Sequence, residues 1–262
     1  MHFSLNQIML NILEKFEPVG LIEMDSVKLM DRFDAKYCVS LAQLSLIVNW
    51  LQREHKLLEI DGKRLMTYHT DYFDTQNFDM FYNHHNGVPI RKKVRIRTYV
   101  DSGDCFLEIK KKNARKQTKK NRILIPENKL DASDEVLQFL KKYSDYGIEF
   151  LSAKIHNQFN RCTFVSFSTQ ERITIDTNLR FVAGNDITIN HLAIVELKSG
   201  TKSAYSPFAM FLKSIGCQPN GFSKYCIGLS LAQSGLKTNN FKEKILLINK
   251  LKHEFTSSYR TV

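Results

Sequence analysis

The sequence predicts an α+β fold, an eight-stranded antiparallel β-tunnel or barrel with helices packed outside. Eight segments alternate polar and apolar residues with the period of two that is typical of β-strands. Helical patterns are few by comparison, which favours an antiparallel barrel or a strongly curved sheet. Aromatic residues make up 11% of the chain, mostly Phe and Tyr. Such rings pack well on pleated surfaces and favour a strand-rich core.

The strand segments share charged or polar side chains at every second position. In chain order they span 31–39, 66–74, 91–100, 104–112, 119–125, 158–167, 171–177 and 191–199. A helix is predicted over 133–143, and another begins at Ser206 with Pro207 in its first position. A Lys-rich helix over about 241–255 closes the chain.

The chain shows no repeat, no linker composition and no low-complexity tract, so the 262 residues predict a single domain. Its core is expected at about 30–230, with an N-terminal helix within 1–20 and the Lys-rich helix within 235–262 as extensions. Segment 3–16 contains apolar residues interrupted by polar ones, which indicates an amphipathic helix rather than a signal peptide. No apolar run reaches the length of a membrane span.

The net charge is +11, from 38 basic and 27 acidic side chains, so the chain should attract polyanions. Nucleic acid, an anionic membrane and phosphate-rich metabolites are all candidates for that polyanion. The five cysteines are scattered and form no C-x-x-C pair, which argues against a disulfide framework or a zinc ribbon. Together with the absence of a leader pattern, this predicts a cytoplasmic protein.

The charged face of the predicted strands is unusually basic. In segment 91–100, Arg95 and Arg97 alternate with Val94 and Ile96, whereas an ordinary half-exposed sheet presents a mixed polar face. A closed sheet would turn these cations inward, where unpaired charges are costly and a bound polyanion would relieve the cost. The same alternation occurs at Lys36, Lys110, Lys120, Arg122, Arg161, Arg172 and Lys198.

Two glutamates interrupt this basic face, and each is followed two residues later by a lysine, in Glu108-x-Lys110 and Glu196-x-Lys198. A carboxylate repels phosphates unless a metal bridges the two, and Mg²⁺ or Mn²⁺ is commonly bound by one or two carboxylates plus phosphate oxygens. A second interpretation stays open, in which Glu108 and the arginines of 91–100 form surface ion pairs across strands.

Two further patterns have competing interpretations. The run 110–122 resembles an RNA-binding or nuclear-localisation patch, but its context predicts a hairpin with a basic turn at 113–118. No aromatic RNA-binding pattern or helix-turn-helix spacing accompanies it, so no specific nucleic acid is expected. His84 and His85 fall in a predicted loop, and no third zinc ligand stands at a recognisable spacing. The Lys-rich C-terminal helix is expected to pack on the barrel, with contact to a membrane surface or partner as the alternative.

An ordered set of short motifs resembles the VTC domain, the catalytic domain of the vacuolar transporter chaperone complex. That domain is a polyphosphate polymerase of the triphosphate tunnel metalloenzyme superfamily, and the resemblance covers about residues 30–230. The motifs are RFDAKYCV (32–39), YFDT (72–75), KVRIRTY (93–99), LEIK (107–110), RITIDTNL (172–179), VELK (195–198) and FSKY (222–225).

The resemblance implies transfer of the ATP γ-phosphate to a growing polyphosphate chain, with Mn²⁺, or else Mg²⁺, held by a tunnel glutamate. It implies a catalytic set of Lys36, Arg95, Arg97, Lys110, Arg161, Arg172 and Lys224. It implies substrate-binding roles for Lys120, Arg122, Lys198 and Arg32. Glu196 matches the metal-binding glutamate, and Glu108 is a second candidate.

Two departures from related enzymes bear on the reaction. The first strand has Arg32-x-Asp34-x-Lys36 in place of the E-x-E-x-K signature of hydrolytic tunnel enzymes, which favours the VTC branch and leaves Asp34 to assist the metal. The 262 residues contain no membrane domain and no inositol-phosphate-sensing domain, so coupling to export, for example through a membrane-associated partner, stays open. The alternatives are a hydrolase of tripolyphosphate or nucleoside triphosphates and a non-catalytic polyphosphate-binding module.

Overall fold

The computed structural model describes residues 11–24, 33–115, 117–200 and 205–258. Within these residues one sheet contains eleven strands. They are β1 (Pro18–Val19), β2 (Phe33–Ser40), β3 (Lys56–Leu58), β4 (Met66–Asp74), β5 (Arg91–Tyr99), β6 (Cys105–Lys112), β7 (Thr118–Ile125), β8 (Ser152–Ser166), β9 (Glu171–Ala183), β10 (Asn185–Ile189) and β11 (Leu192–Ser199).

The helices lie between and after these strands. They are α1 (Leu21–Met24), α2 (Leu41–Leu51), α3 (Asp79–His85), α4 (Asp134–Tyr143), α5 (Pro207–Ser214), α6 (Lys224–Ala232) and α7 (Lys242–Ser258), with short 3₁₀ turns at Ile148–Phe150 and Asn239–Phe241. None of the described helices is long and apolar enough to cross a membrane.

Eight long strands follow the order β2-β11-β9-β8-β4-β5-β6-β7, and every neighbouring pair is antiparallel. Each corresponds to one predicted strand, so the α+β class and the eight-stranded antiparallel core are confirmed. The short strands attach at the side, with β1 parallel to β3, β3 on β8, and β10 on β9.

The predicted barrel is not closed by hydrogen bonds, because the two end strands β2 and β7 do not pair with each other in the described residues. The sheet is nevertheless rolled. The charge of Glu196 on β11 raises the pKa of Lys110 on β6, although five strand spacings of about 4.8 Å would separate these strands by about 24 Å in a flat sheet. The charged face therefore encloses a shared interior.

Helices cover the outer face, as predicted. Helix α2 buries Leu44, Ile47 and Leu51 against that face, in a core shared with Phe208 of α5 and Val195 of β11. Both helix starts have serine caps. Ser40 forms a capping box with Gln43, and the Ser206 hydroxyl accepts from the backbone N–H of Ala209. The predicted start of α5 at Ser206-Pro207 is confirmed.

The predicted loop at His84 and His85 is wrong, because both residues close helix α3. The buried carboxylate of Asp74 accepts the backbone N–H groups of Met80 and Phe81 and so fixes the first turn from outside the helix. The predicted helices at 133–143 and 241–255 are confirmed as α4 and α7. Residues 11–13 are helical, and the part of the predicted N-terminal helix before residue 11 lies outside the described residues. Its extension to residue 20 is wrong, because residues 14–16 form a turn and Pro18–Val19 form strand β1.

Candidate active site

Backbone register brings charged residues of neighbouring strands side by side on the inner face of the rolled sheet. Side chains directly opposite each other in an antiparallel pair lie close enough to interact. The opposed pairs are Arg95–Glu108, Lys110–Lys120, Lys36–Glu196 and Arg161–Asp176. Carboxylates therefore lie between cations contributed by several strands.

Glu108 is the most deeply buried of these carboxylates, with no exposed side-chain surface. Its Oε2 accepts from Arg95 Nε at 2.7 Å, and its Oε1 accepts from Lys120 Nζ at 2.8 Å. Burial opposes ionisation, but Arg95, Arg97 and Lys120 hold the pKa of Glu108 well below its usual range. The ion pair considered from the sequence does form, but it is buried rather than on the surface.

Glu196 is the carboxylate more open to the interior, with 14% of its side chain exposed. It forms a close ion pair with Lys36, and its Oε2 lies 4.0 Å from Lys198 Nζ. Although burial opposes ionisation, Lys36, Lys198 and Arg161 hold its pKa well below the usual value. Burial lowers the pKa of Lys198 to about 8 in spite of the neighbouring Glu196.

Asp176 of β9 is the third carboxylate of this inner face, and it is 2% exposed. Its oxygens accept from Arg161 Nε at 2.5 Å and Nη2 at 2.8 Å. Lys224 of α6 also donates to it. Burial opposes ionisation, but Arg161 and Lys224 hold the pKa of Asp176 at about 2. Asp176 lies four residues after Arg172 on the same strand, so both side chains point to the same face. This spacing is the only indication in the sequence that Asp176 faces inward.

Arg97 and Lys110 are inward cations that form no ion pair with a carboxylate among the described residues. Arg97 is 7% exposed, and its Nε makes only a long contact of 3.4 Å to Thr70 Oγ1. Lys110 has no hydrogen bond or ion pair to any described residue. The charge of Arg95, then burial, lowers the pKa of Lys110 well below its usual value, and burial, then Arg95, lowers the pKa of Arg97. An anion bound here would relieve both effects.

The remaining predicted residues lie around this centre. Arg172 of β9 lies opposite Lys198 of β11 in register. Arg122 of β7 is exposed, and its guanidinium lies 4.4 Å from the centroid of the Phe106 ring. Arg32 lies outside the described residues, so its predicted role is not addressed by the structure.

The donor set fits a divalent metal only if phosphate supplies part of the coordination. The described residues contain no group of three or more His, Cys, Asp or Glu side chains arranged to hold a metal ion. Glu196, partly exposed within a phosphate-attracting interior, suits Mg²⁺ or Mn²⁺, which accept one carboxylate and complete their shells with phosphate oxygens and water. Glu108 is less suited, since Arg95 and Lys120 occupy both of its oxygens.

The histidines do not form the considered zinc site in the described part of the chain. His84 Nδ1 lies 3.0 Å from the Cys226 thiol, and His85 bonds to Asn86 and Asn239. These contacts join α3 to α6 and to the segment that precedes α7.

Sequence reasoning missed helix α6 and the contact between Lys93 and Ser223. Lys93 Nζ donates to Ser223 Oγ at 2.9 Å, and the same hydroxyl caps α6 through the N–H of Cys226. Lys93 shares strand parity with Arg95, so its inward direction could have been predicted. The position of Ser223 depends on how α6 docks, which no local pattern shows.

The VTC domain family model matches residues 31–233 of the chain. A solved structure of a candidate adenylate cyclase from Bacillus halodurans has the same fold, with a TM-score of 0.51, 14% identity, and coverage of 74% of this chain and 96% of that one.

Two further structures match with TM-scores below 0.5. One is a candidate adenylyl cyclase from Hippeastrum, described as having a dominant triphosphatase activity, with a TM-score of 0.48, 16% identity and coverage of 78% and 98%. The other is a candidate adenylate cyclase from Vibrio parahaemolyticus, with a TM-score of 0.45, 14% identity and coverage of 76% and 98%. A search of curated proteins gave no significant match.

Proposed function

The chain belongs to the VTC domain family, and from that premise we propose that it is a metal-dependent polyphosphate polymerase. It would transfer the γ-phosphate of ATP to the end of an inorganic polyphosphate chain held in the basic interior. The observation that carries the proposal is that two inward cations, Arg97 and Lys110, form no ion pair with a carboxylate among the described residues. Cations that are partly or fully withdrawn from water without an ion-pair partner are expensive, and a phosphate chain supplies the missing negative charge.

Arg97 and Lys110 are the proposed contacts of the phosphoryl group in transfer. A terminal oxygen of the polyphosphate acceptor attacks the γ-phosphorus, the bond to the β–γ bridging oxygen breaks, and ADP leaves with that oxygen. Catalysis then depends on in-line positioning and on neutralising the charge of the transferred group. The flanking phosphates would be held by the remaining predicted cations, Lys36, Arg95, Arg161, Arg172, Lys224, Lys120, Arg122, Lys198 and Arg32.

Glu196 is the proposed metal-holding residue, with Mn²⁺ or Mg²⁺ as the ion. A bound divalent cation would neutralise charge on the phosphate oxygens. The partial exposure of the Glu196 side chain, 14% against none for Glu108, supports this choice. Glu108 would instead keep Arg95 and Lys120 in place.

Incubation of the purified protein with ATP and Mn²⁺ tests the proposal, with polymer stained on a gel and free phosphate assayed in parallel. We expect long polyphosphate from the native chain and loss of polymer on the order of a hundredfold or more in Glu196→Gln. The matched control is Glu254→Gln, which removes a carboxylate from the exposed Lys250–Glu254 pair of α7 and should leave synthesis unchanged.

Free phosphate without polymer would instead assign a triphosphate hydrolase. Binding of polyphosphate without turnover would assign a binding module. Full metal-dependent synthesis by Glu196→Gln would remove the proposed role of that carboxylate.

A further inference from the structure

Asp176 joins two cations that come from different structural elements. Arg161 lies on β8 and donates to both carboxylate oxygens, from Nε at 2.5 Å and from Nη2 at 2.8 Å. Lys224 lies in the first turn of α6 and donates to Oδ2. Asp176 is 2% exposed, so these bonds are made away from bulk water, where charge-assisted hydrogen bonds are strong.

The ring of Phe159 holds the same two cations from another side. The Lys224 ammonium lies 4.3 Å and the Arg161 guanidinium carbon 5.3 Å from the ring centroid. The Arg161 guanidinium also lies 5.4 Å from the ring centroid of Tyr68. Such cation–π contacts stabilise the cations and restrict their rotamers when they are desolvated. Each cation is therefore fixed by one carboxylate and at least one aromatic ring.

These contacts leave donors available on both cations. An ammonium group has three N–H donors and a guanidinium has five, whereas Asp176 engages one from Lys224 and two from Arg161. Both oxygens of Asp176 are occupied by these cations, so the carboxylate is not left to ligate a metal. The remaining N–H groups suit one phosphate group, since guanidinium and ammonium both bind phosphate oxygens.

We propose that Asp176 is a positioning residue, which fixes Arg161 and Lys224 as one phosphate subsite spanning the sheet and helix α6. The inference rests on the proposed function for its ligand, a phosphate chain, but not on whether that chain is synthesised or hydrolysed.

The proposal and simple charge balance predict opposite effects when Asp176 is neutralised. Asp176→Asn removes a negative charge from a basic interior, so Coulomb attraction alone would tighten the binding of a polyanion. If Asp176 positions the two cations, the same change loosens them and weakens binding, because preorganised donors lose their geometry. The sign of the affinity change therefore distinguishes a positioning role from simple charge balance.

Calorimetric titration of tripolyphosphate without metal, into the whole chain, measures this sign. We expect about tenfold weaker binding for Asp176→Asn, the equivalent of losing one charge-assisted hydrogen bond. Asp176→Glu keeps the charge but moves the carboxylate by one methylene, and it should also weaken binding. Asp186→Asn is the control, because it breaks the exposed Arg180–Asp186 pair on the neighbouring strand and should leave the affinity unchanged.

Thermal unfolding of each variant establishes that it is folded, and Asp176→Glu decides the question if Asp176→Asn does not fold. In a Lys224→Met background, Asp176→Asn should reduce the affinity for tripolyphosphate clearly less than in the native chain, since one of the two positioned cations is already absent. Native or tighter affinity in both Asp176 variants would overturn the positioning role, as would an equal loss in Asp186→Asn. Absence of tripolyphosphate binding by the native chain would instead contradict the proposed function itself.

Discussion

In the described part of the charged interior, three carboxylates each form a group with two cations. Each such group keeps a net positive charge while its carboxylate offsets part of the cost of burying two cations. The interior is therefore attractive to polyanions without a large unpaired charge at any one of these groups. The three groups are Arg95–Glu108–Lys120, Lys36–Glu196–Lys198 and Arg161–Asp176–Lys224.

A residue outside this interior makes stability depend on pH. His55 is 5% exposed, its ring lies 5.6 Å from that of Trp50, and neither ring nitrogen has a hydrogen-bond partner among the described residues. Burial lowers its pKa from 6.5 to about 4. The folded state thus prefers neutral His55, and its contribution is fully present above pH 6.5 and is lost as the pH falls toward about 4.

The change His55→Phe keeps an aromatic ring and removes the titrating group. From about pH 7.5 to about pH 5 the native chain should lose about 2 kcal/mol of unfolding free energy more than the variant does. Urea unfolding of both proteins at a series of pH values measures this difference. Parallel stability curves for the two proteins would show that His55 does not titrate on unfolding in this range.

At the scale of elements, helix α6 joins the sheet to the charged interior, and its fit depends on a glycine. A Cβ added at Gly228 would lie 2.4 Å from Phe181 Cδ1 and 2.8 Å from Ile155 Cδ1. Phe181 and Ile155 are themselves buried in a hydrophobic core with Phe81 and Tyr225, so neither can move without disturbing its neighbours.

Gly228→Ala should therefore destabilise the protein by about 1–3 kcal/mol, despite the higher helix propensity of alanine. Thermal and denaturant unfolding measure the loss. Gly20→Ala is the control, because its added Cβ would meet only Glu23 Oε2 at 3.6 Å and should change stability by less than about 0.5 kcal/mol. A native-like Gly228→Ala would mean that the α6 interface can relax.

The eight long strands could be predicted from the sequence, whereas the short strands β1, β3 and β10 and several helices could not. Most of the long strands alternate apolar residues with polar or charged ones, which leaves a clear period of two. Helix α6 is buried on most sides and shows no periodic apolar stripe. Helix α3 starts after Phe78, which has a left-handed backbone (φ 58) and no side-chain cap; its cap comes from Asp74 of β4.

The same distinction applies to the candidate site. Inward-facing residues such as Lys36, Arg95 and Glu196 follow from strand parity together with the family resemblance. The central position of Asp176 could not be predicted, because its partner Lys224 reaches it from α6 and that contact exists only in the tertiary structure.

At the scale of the whole molecule, the rolled sheet separates two populations of basic residues. Cations of the inner face surround the buried carboxylates, while others lie on the outer face and carry part of the net charge of +11. The β6–β7 hairpin shows this division in adjacent positions. Lys110 faces the interior across from Lys120, whereas Lys119 is exposed and pairs in register with Lys111 on the other face.

The affinity of tripolyphosphate for Lys110→Met compared with Lys119→Met tests most directly whether the interior binds the phosphate chain. The two variants lose the same charge from one hairpin. If the chain binds inside, Lys110→Met should weaken binding about tenfold or more, as expected for a charge-assisted contact. Lys119→Met should change it by less than about twofold at about 0.15 M salt, where exposed charges are screened. Equal losses in both variants, or none in Lys110→Met, would contradict an interior phosphate site.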